Sequence, residues 1–432
     1  MNCTVKFGNK KLHLGNSKNI SSVIMYFLIL VMVIFNRDTL PSLVSIGFYK
    51  TLVIQGVAII GIFIFVAIKN RNHIELEKKA FFSALGLTIT MLLSSLLKLD
   101  FQFYIFSIIF YIGTALFLTH IFNIENFYSR YSNIMVFLAV YSLMTCYLFR
   151  PILFPNNTIN PNLNTIVNSS GTPFFNCGFS YVVAWPYYFR NFGLFREPGI
   201  YQFFLLIALF YELLLRQKSF RIFHILVLSV TVFSTFSPPG ILGLFIVFGI
   251  FIFKMALDKR ITTRMVVFTV VIALLGIGLI SLICVINVNI RHLIVEMIQK
   301  VFTINASSGA RINSLLVSIR LFIHHPFVGN AFNTVVAENG ACINSNLSYY
   351  AIFGVLAGTL LLWIQYQITK LVSNKRLIRI LVFIFSLLLV NTQLLYGNII
   401  FWVFLFSAFM NSNDEPTLFQ KVGTRFKGVK KN

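Results

Sequence analysis

Residues 48–79 read FYKTLVIQGVAIIGIFIFVAIKNRNHIELEKK, and this stretch decides the class of fold. Phe48–Ile68 is apolar throughout except for Lys50 and Gln55 and a few small residues. From Lys69 to Lys79 the character reverses, with Lys69, Arg71, Lys78 and Lys79 following one another closely. A membrane-crossing helix needs roughly 20 mostly apolar residues. A basic run directly after one marks the cytoplasmic side.

The same alternation continues in both directions. The chain has 432 residues and a formal net charge of +23, yet only 11% of its residues are charged, 57% are hydrophobic and 49 are Phe. A soluble globular domain carries about 25% charged residues, so that class is excluded. A disordered basic tail lacks such apolar content. A nucleic-acid binder spreads its basic residues over the surface of an ordinary core, whereas here they sit between apolar blocks. The reading is an all-α polytopic membrane protein, one integral membrane domain over 1–432.

Twelve spans are expected: Ile20–Phe35, Phe48–Ile68, Ala80–Leu97, Phe101–Ile121, Ile134–Leu148, Ile200–Leu215, Ile222–Phe236, Ile241–Phe253, Val266–Ile286, Leu347–Ile368, Leu377–Leu395 and Ile399–Met410. Ile241–Phe253 and Ile399–Met410 are short enough to be tilted or re-entrant. With the N-terminus inside, 25 of the 35 Lys and Arg fall in inside segments. The positive-inside rule therefore puts both termini, including the basic tail 411–432, in the cytoplasm. The basic segment before the first span lacks a small-residue cleavage site at Asn36-Arg37-Asp38, which argues against a cleaved signal peptide. There is no internal repeat of the kind that builds two-half transporters.

Two outside segments are long, 149–199 and 287–346, and long loops usually serve a function. Together they hold Arg150, Arg190, Arg196, Arg291, Lys300, Arg311 and Arg320 against Glu197, Glu296 and Glu338. The first turns aromatic at Phe179, Trp185, Tyr187, Tyr188 and Phe189, which reads either as a headgroup-level belt or as a surface for stacking sugars. It ends in Arg190-Asn191-Phe192-Gly193-Leu194-Phe195-Arg196-Glu197-Pro198-Gly199 at a span edge. There an Arg–Glu pair could hold the loop, or the guanidinium forks could bind an anion. In the second, Ser308 is a plausible N-cap and Pro326 ends a helix at about His325. Ile312, Leu315, Leu316, Ile319 and Ile323 share one face, while Arg311, Ser314, Ser318 and His325 share the other. That pattern fits an interfacial amphipathic helix, or one helix carrying a cation at one end and a titratable His at the other. Glu338 reads as a solvated loop acid. Cys177 and Cys342 are either an outer-face disulfide or two free thiols, and no His, Cys and carboxylate set has metal-ligand spacing.

For a lipid diphosphate substrate, breaking the sugar–phosphate bond develops charge on a diphosphate, and preorganised cations stabilise it. Arg190, Arg196, Arg311 and Arg320 could supply that charge. Glu197, His324 or His325 could act as base toward an acceptor hydroxyl.

Four patterns make the chain resemble bacterial O-antigen and capsular polysaccharide polymerases of the Wzy type, in the polymerase/ligase superfamily. They are Arg190-x-x-Gly193-x-Phe195-x-Glu197-Pro198; Phe233-Ser234-Thr235-Phe236-Ser237-Pro238-Pro239-Gly240; Ser308-Gly309-Ala310-Arg311 followed by His325-Pro326-Phe327-Val328-Gly329; and Asn344-Ser345 leading to Tyr349-Tyr350 and Gly354. The resemblance implies a GT-C-like fold and a metal-independent, cofactor-free inverting glycosyltransferase in the bacterial cytoplasmic membrane. Such an enzyme moves a growing glycan from undecaprenyl diphosphate onto a lipid-linked repeat unit. It carries a substrate-holding role to Arg190 and Arg311, and to Arg196 and Arg320; joined to the candidate bases, the expected catalytic positions are Arg190, Glu197, Arg311 and His325, with Arg196, Arg320, His324, Asn344 and Tyr349 as expected substrate contacts. Its partners would be the undecaprenyl-diphosphate-linked oligosaccharide, membrane lipids, a chain-length regulator and a flippase, with no nucleic acid. Cys342-Ile343 stands where the related ligases carry a His, which favours polymerase over ligase. Pro238-Pro239 stands where an Arg is frequent. A flippase would need ionisable groups along its path, whereas Lys50, Glu212, His120 and His224 lie near span ends.

Overall fold

The computed structural model of the protein describes residues 4–7, 10–13, 17–40, 48–69, 77–149, 165–167, 173–183, 190–216, 221–258, 306–339 and 344–410. These residues are mostly helical. A short hairpin of β1 (Thr4–Phe7) and β2 (Lys10–His13) precedes α1 (Ser17–Ile34), α2 (Phe48–Lys69), α3 (Lys78–Leu97), α4 (Phe103–Ile121) and α5 (Ile124–Leu143). A small antiparallel sheet of β3 (Thr165–Val167), β4 (Pro173–Asn176) and β5 (Tyr181–Val183) follows. Then come α6 (Pro198–Phe210), α7 (Ile222–Ser234), α8 (Pro238–Leu257), α9 (Ala306–His324), α10 (Phe332–Asn339), α11 (Ser345–Val372), α12 (Arg376–Asn391) and α13 (Ile399–Phe406).

Six helical segments among the described residues are long and apolar enough to cross a membrane: α3, α4, α5 with its extension, α6 with its extension, α8 and α11. Their outer sides are apolar, as Phe82, Ile89, Leu93 and Leu96 on α3 and Leu242 and Phe245 on α8 show. In water such a surface would be an aggregation liability; against lipid it is the expected one. α6 is the reverse case. All of its residues are buried, because α5, α7 and α8 pack around it while Phe385 of α12 and Phe404 of α13 close on Phe210.

Several expected boundaries move. α5 starts ten residues before the expected Ile134, since Asn123 caps it by accepting from the Asn126 N–H. Arg130, expected in a loop, is therefore on a helix, close to the Tyr26 ring. α8 begins at Pro238, a residue favoured at a helix start, and reaches spanning length. α13 does not: its 8 residues rise about 12 Å and the following three-residue 3₁₀ turn about 6 Å more, so Ile399–Met410 is a buried plug against α4 rather than a straight span. The expected span Val266–Ile286 and the tail 411–432 lie outside the described residues.

α6 ends in a π-helical turn, Tyr211–Leu215, that carries Glu212. This carboxylate is fully buried. It accepts from Ser132 Oγ at 2.6 Å and lies 3.3 Å from His224, 3.6 Å from Arg216 and 3.9 Å from Arg221. At the same end Lys254 donates to the Leu214 carbonyl and Lys375 pairs with Asp258 at 2.7 Å. Among the described residues, Arg216, Arg221, Lys254 and Lys375, all in segments read as cytoplasmic, thus gather at one pole.

Candidate functional site

The other pole is organised by a segment that the long-loop reading passed over, residues 36–40 after α1. It runs antiparallel to 194–196: Thr39 bridges Phe195, the Leu40 N–H donates to Leu194 O at 2.9 Å, and the Arg196 N–H donates to Asp38 O at 3.1 Å. This lays the Arg196 guanidinium 3.3 Å from the Asp38 carboxylate, with side chains 38% and 4% exposed. Asn398 Nδ2 donates to Asp38 at 3.4 Å, and Asn36 Nδ2 donates to Asn398 Oδ1 at 2.7 Å. Arg37 lies over the Tyr104 ring, Cζ 4.1 Å from the centroid. Burial works against the Arg37 charge, yet the surrounding groups, Tyr104 and Asp38 foremost, leave its pKa above the ordinary arginine value.

Two of the remote patterns meet at Asn191. Its N–H donates to Ser234 O at 2.9 Å, and its Nδ2 reaches Ser142 Oγ at 3.0 Å and Ser234 Oγ at 3.1 Å. Next to it, Arg190 Nε donates to Thr235 O at 3.1 Å. Gly193 has φ +54°, and a Cβ there would press on the Tyr201 ring at 2.7 Å, so the glycine of this pattern is set by backbone geometry.

The other two patterns meet at a break in α11. Gly354 adopts φ 80°, ψ −176° inside the helix, which frees backbone groups that must be satisfied inside the membrane. The turn after α9 supplies the partners. The Val355 N–H donates to Pro326 O at 2.7 Å, and the Asn330 N–H donates to Ala351 O at 2.8 Å. Ser94 of α3 bonds Val328 O at 2.6 Å and Ile352 O at 3.1 Å. Gly329 and Gly354 approach backbone to backbone, and a Cβ on either would collide with the other strand of this contact. At the start of α11, nine residues before the break, Ser345 Oγ donates to Gln393 O at 2.6 Å and accepts from the Leu395 N–H at 2.8 Å. Gln393 in turn packs against Gly199, where any side chain would clash.

The expected site residues divide accordingly. Arg190, Arg196 and Tyr349 are tied into this pole through the contacts above and the rings around Tyr396, while Asn344 is the buried N-cap residue of α11 and makes no side-chain cap. Glu197 is exposed at the N-terminus of α6 and makes no side-chain cap there. The ion pair of Arg196 is with Asp38, not with its neighbour Glu197. His324 and His325 are exposed at the end of α9. Arg320 pairs with Glu338 at 2.7 Å, so Glu338 is partnered rather than merely solvated, but at 60% and 40% exposure such a pair contributes little. Arg311 is on α9, and its side chain lies outside the described residues, as do Trp185, Tyr187, Tyr188, Phe189 and Cys342. Cys177 carries a free thiol.

Helix α9 has the opposite facing from a water-exposed amphipathic helix. Ser314 and Ser318 are buried with Val317 and Leu321, while Ile312, Leu316, Ile319 and Ile323 face outward. Sequence reasoning missed Arg37 and Asp38. The available signal was their rarity: in a chain with 12 acidic residues, a carboxylate at the end of an apolar helix is seldom incidental.

Among the described residues no group of three His, Cys, Asp or Glu side chains is placed to hold a metal. In comparisons with known proteins, no family model matches the chain and no curated protein matches it.

Proposed function

We propose that the protein is a membrane glycosyltransferase that polymerises lipid-linked oligosaccharide repeat units at the outer leaflet of a bacterial cytoplasmic membrane. In this reading the anomeric carbon–oxygen bond to undecaprenyl diphosphate breaks. A hydroxyl of the acceptor repeat unit forms the new bond to that carbon with inversion. Its proton passes to a base, and undecaprenyl diphosphate leaves. Both termini are cytoplasmic, and the pole holding Arg37, Asp38, Arg190 and Arg196 faces outward.

One observation supports the reading most: the four remote patterns that carry the resemblance are linked into one continuous structure. Arg190 and Asn191 hold the Ser234–Thr235 turn, Gly199 packs on Gln393, which Ser345 bonds, and the Pro326–Asn330 turn closes the break at Gly354. The described ends of the two long segments are linked in this way, at a pole that holds Arg37, Arg190 and Arg196, and cations there suit a diphosphate leaving group.

Purified protein supplied with lipid-diphosphate repeat units is expected to form a ladder of products. The Arg190→Ala variant, still reaching the membrane, is expected to lose the long products. Transfer to a lipid A core would mean a ligase instead, and transbilayer movement without product a flippase. An Arg190→Ala ladder of normal length would remove Arg190 from the site.

A further inference from the structure

The pole that holds Glu212 carries a second polar group of residues, between α1, α5 and α7. Arg221, just before α7, straddles one turn of α5: its guanidinium donates to the Asn133 amide oxygen and, at 2.7 Å, to Ser129 Oγ. Asn133 Nδ2 in turn donates to the Tyr26 hydroxyl of α1 at 2.6 Å. Arg130 lies over the Tyr26 ring, Cζ 5.6 Å from the centroid, and donates to the Asn126 carbonyl at 2.7 Å. Two guanidinium groups thus flank one tyrosine–asparagine pair, and each link between them is a direct contact. Tyr26, Ser129, Arg130, Asn133 and Arg221 are all half-buried, neither core nor fully solvated.

Away from this pole the surface turns apolar at once. Phe137, one turn of α5 beyond Asn133, is 53% exposed, and Phe27, next to Tyr26, is 57% exposed. Such rings meet lipid chains, not water. The charge is one-sided as well. Among the described residues, Arg130, Arg216 and Arg221 stand here against Glu212 and Glu125. Glu212 is fully buried and has Ser132, His224 and Arg216 nearer to it than Arg221, whose side chain is 27% exposed. The cation reaches the surface and the carboxylate does not. Guanidinium forks match phosphate oxygens, and a tyrosine suits the headgroup level. A ligand that fits both halves of this surface carries an anion at one end and hydrocarbon at the other. A nucleic acid or an acidic peptide would leave the apolar half uncovered.

We propose that this groove binds an anionic phospholipid, with the phosphate between Arg130 and Arg221 and the acyl chains over Phe27 and Phe137. The bound lipid braces α1 against α5 and α7. The site lies at the opposite pole from Arg37 and Arg190, and it stands whether or not the protein is a transferase.

The test is native mass spectrometry of the full-length protein with added dioleoyl phosphatidylglycerol or dioleoyl phosphatidylcholine. The first phosphatidylglycerol is expected to bind about tenfold more tightly than phosphatidylcholine, as two basic side chains near an anionic headgroup provide. Arg130→Gln is expected to weaken phosphatidylglycerol about fivefold and to leave phosphatidylcholine unchanged. Arg221→Gln is expected to do the same; if it fails to fold, Arg130→Gln still decides. Arg376→Gln removes an exposed charge at the start of α12, outside the groove, and is expected to bind as the unaltered protein does. Equal binding of the two lipids overturns the site, because the chains alone are then recognised. Equal losses in Arg130→Gln and Arg376→Gln overturn it too, because diffuse surface charge then accounts for the preference. Displacement of the lipid by glycerophosphate would make it a site for soluble phosphates. A dimer that sheds the lipid would make the groove an interface between copies, and either result overturns the proposal.

Discussion

Asp38 and Gly354 show what single residues contribute to this protein and how differently each can be read in advance. Asp38 sits at the edge of the first span, and its partner Arg196 is brought to it only by tertiary structure. No local spacing announces such a pair. The motif glycines were legible as turn residues, but not that two of them face each other. Gly329 at φ +77° and Gly354 at φ +80° interlock so closely that a methyl group on either meets the partner's backbone. Substitution at positive φ costs more than about 1 kcal/mol from conformation alone, and here a backbone collision is added. Gly354→Ala is therefore expected to lower the melting temperature in detergent sharply, as read by fluorescence-detected size exclusion. Alanine at Gly61, which has open space around it, is expected to leave the profile almost unchanged. Equal profiles for the two would show that the break in α11 is not held by this contact.

At the scale of elements, the positions of most helices were legible from apolar length, and the failures have physical causes. The start of α5 was missed because Ile124–Asn133 is polar enough to look like a loop, while its Asn123 cap is the true boundary signal. Ile399–Met410 is apolar enough to span but folds as a short plug, because its neighbours, not lipid, surround every side chain of Ile399–Phe406. α9 is the clearest case. Periodicity gave its two faces but not which one turns inward, since that depends on the solvent. Beside water the Ile face would be buried; here the serine face is buried against α11 and the Ile face is outward. This is the polarity of a helix bathed in lipid. Tryptophan introduced at Ile323 or Leu316 is expected to be quenched by lipids brominated on the acyl chains and shielded from aqueous iodide. The opposite pattern would place α9 in the water layer.

The whole molecule has two charged poles, and α6 joins them. Its Pro198 end adjoins Arg196, and its Leu215 end carries Glu212 and Arg216. These 18 residues rise about 27 Å, close to the roughly 30 Å thickness of a hydrocarbon core. The distance matches a bundle whose ionic groups meet the two aqueous faces. A membrane-impermeant maleimide is accordingly expected to label a single cysteine replacing Glu197 on intact spheroplasts and one replacing Arg376 only after permeabilisation. Labelling of both from the same side would break the two-pole arrangement. The enclosure of α6 also has a consequence for biogenesis. The helix enters the bilayer early in synthesis, yet the rings of Phe385 and Phe404 that seal it belong to the last elements made. Until those emerge, Gln202, which shares a cleft with Phe385, Leu388 and Leu389 of α12, lacks part of the protein wall that shields it. A product truncated before α12 therefore leaves α6 incompletely enclosed, with the Gln202 amide turned toward lipid.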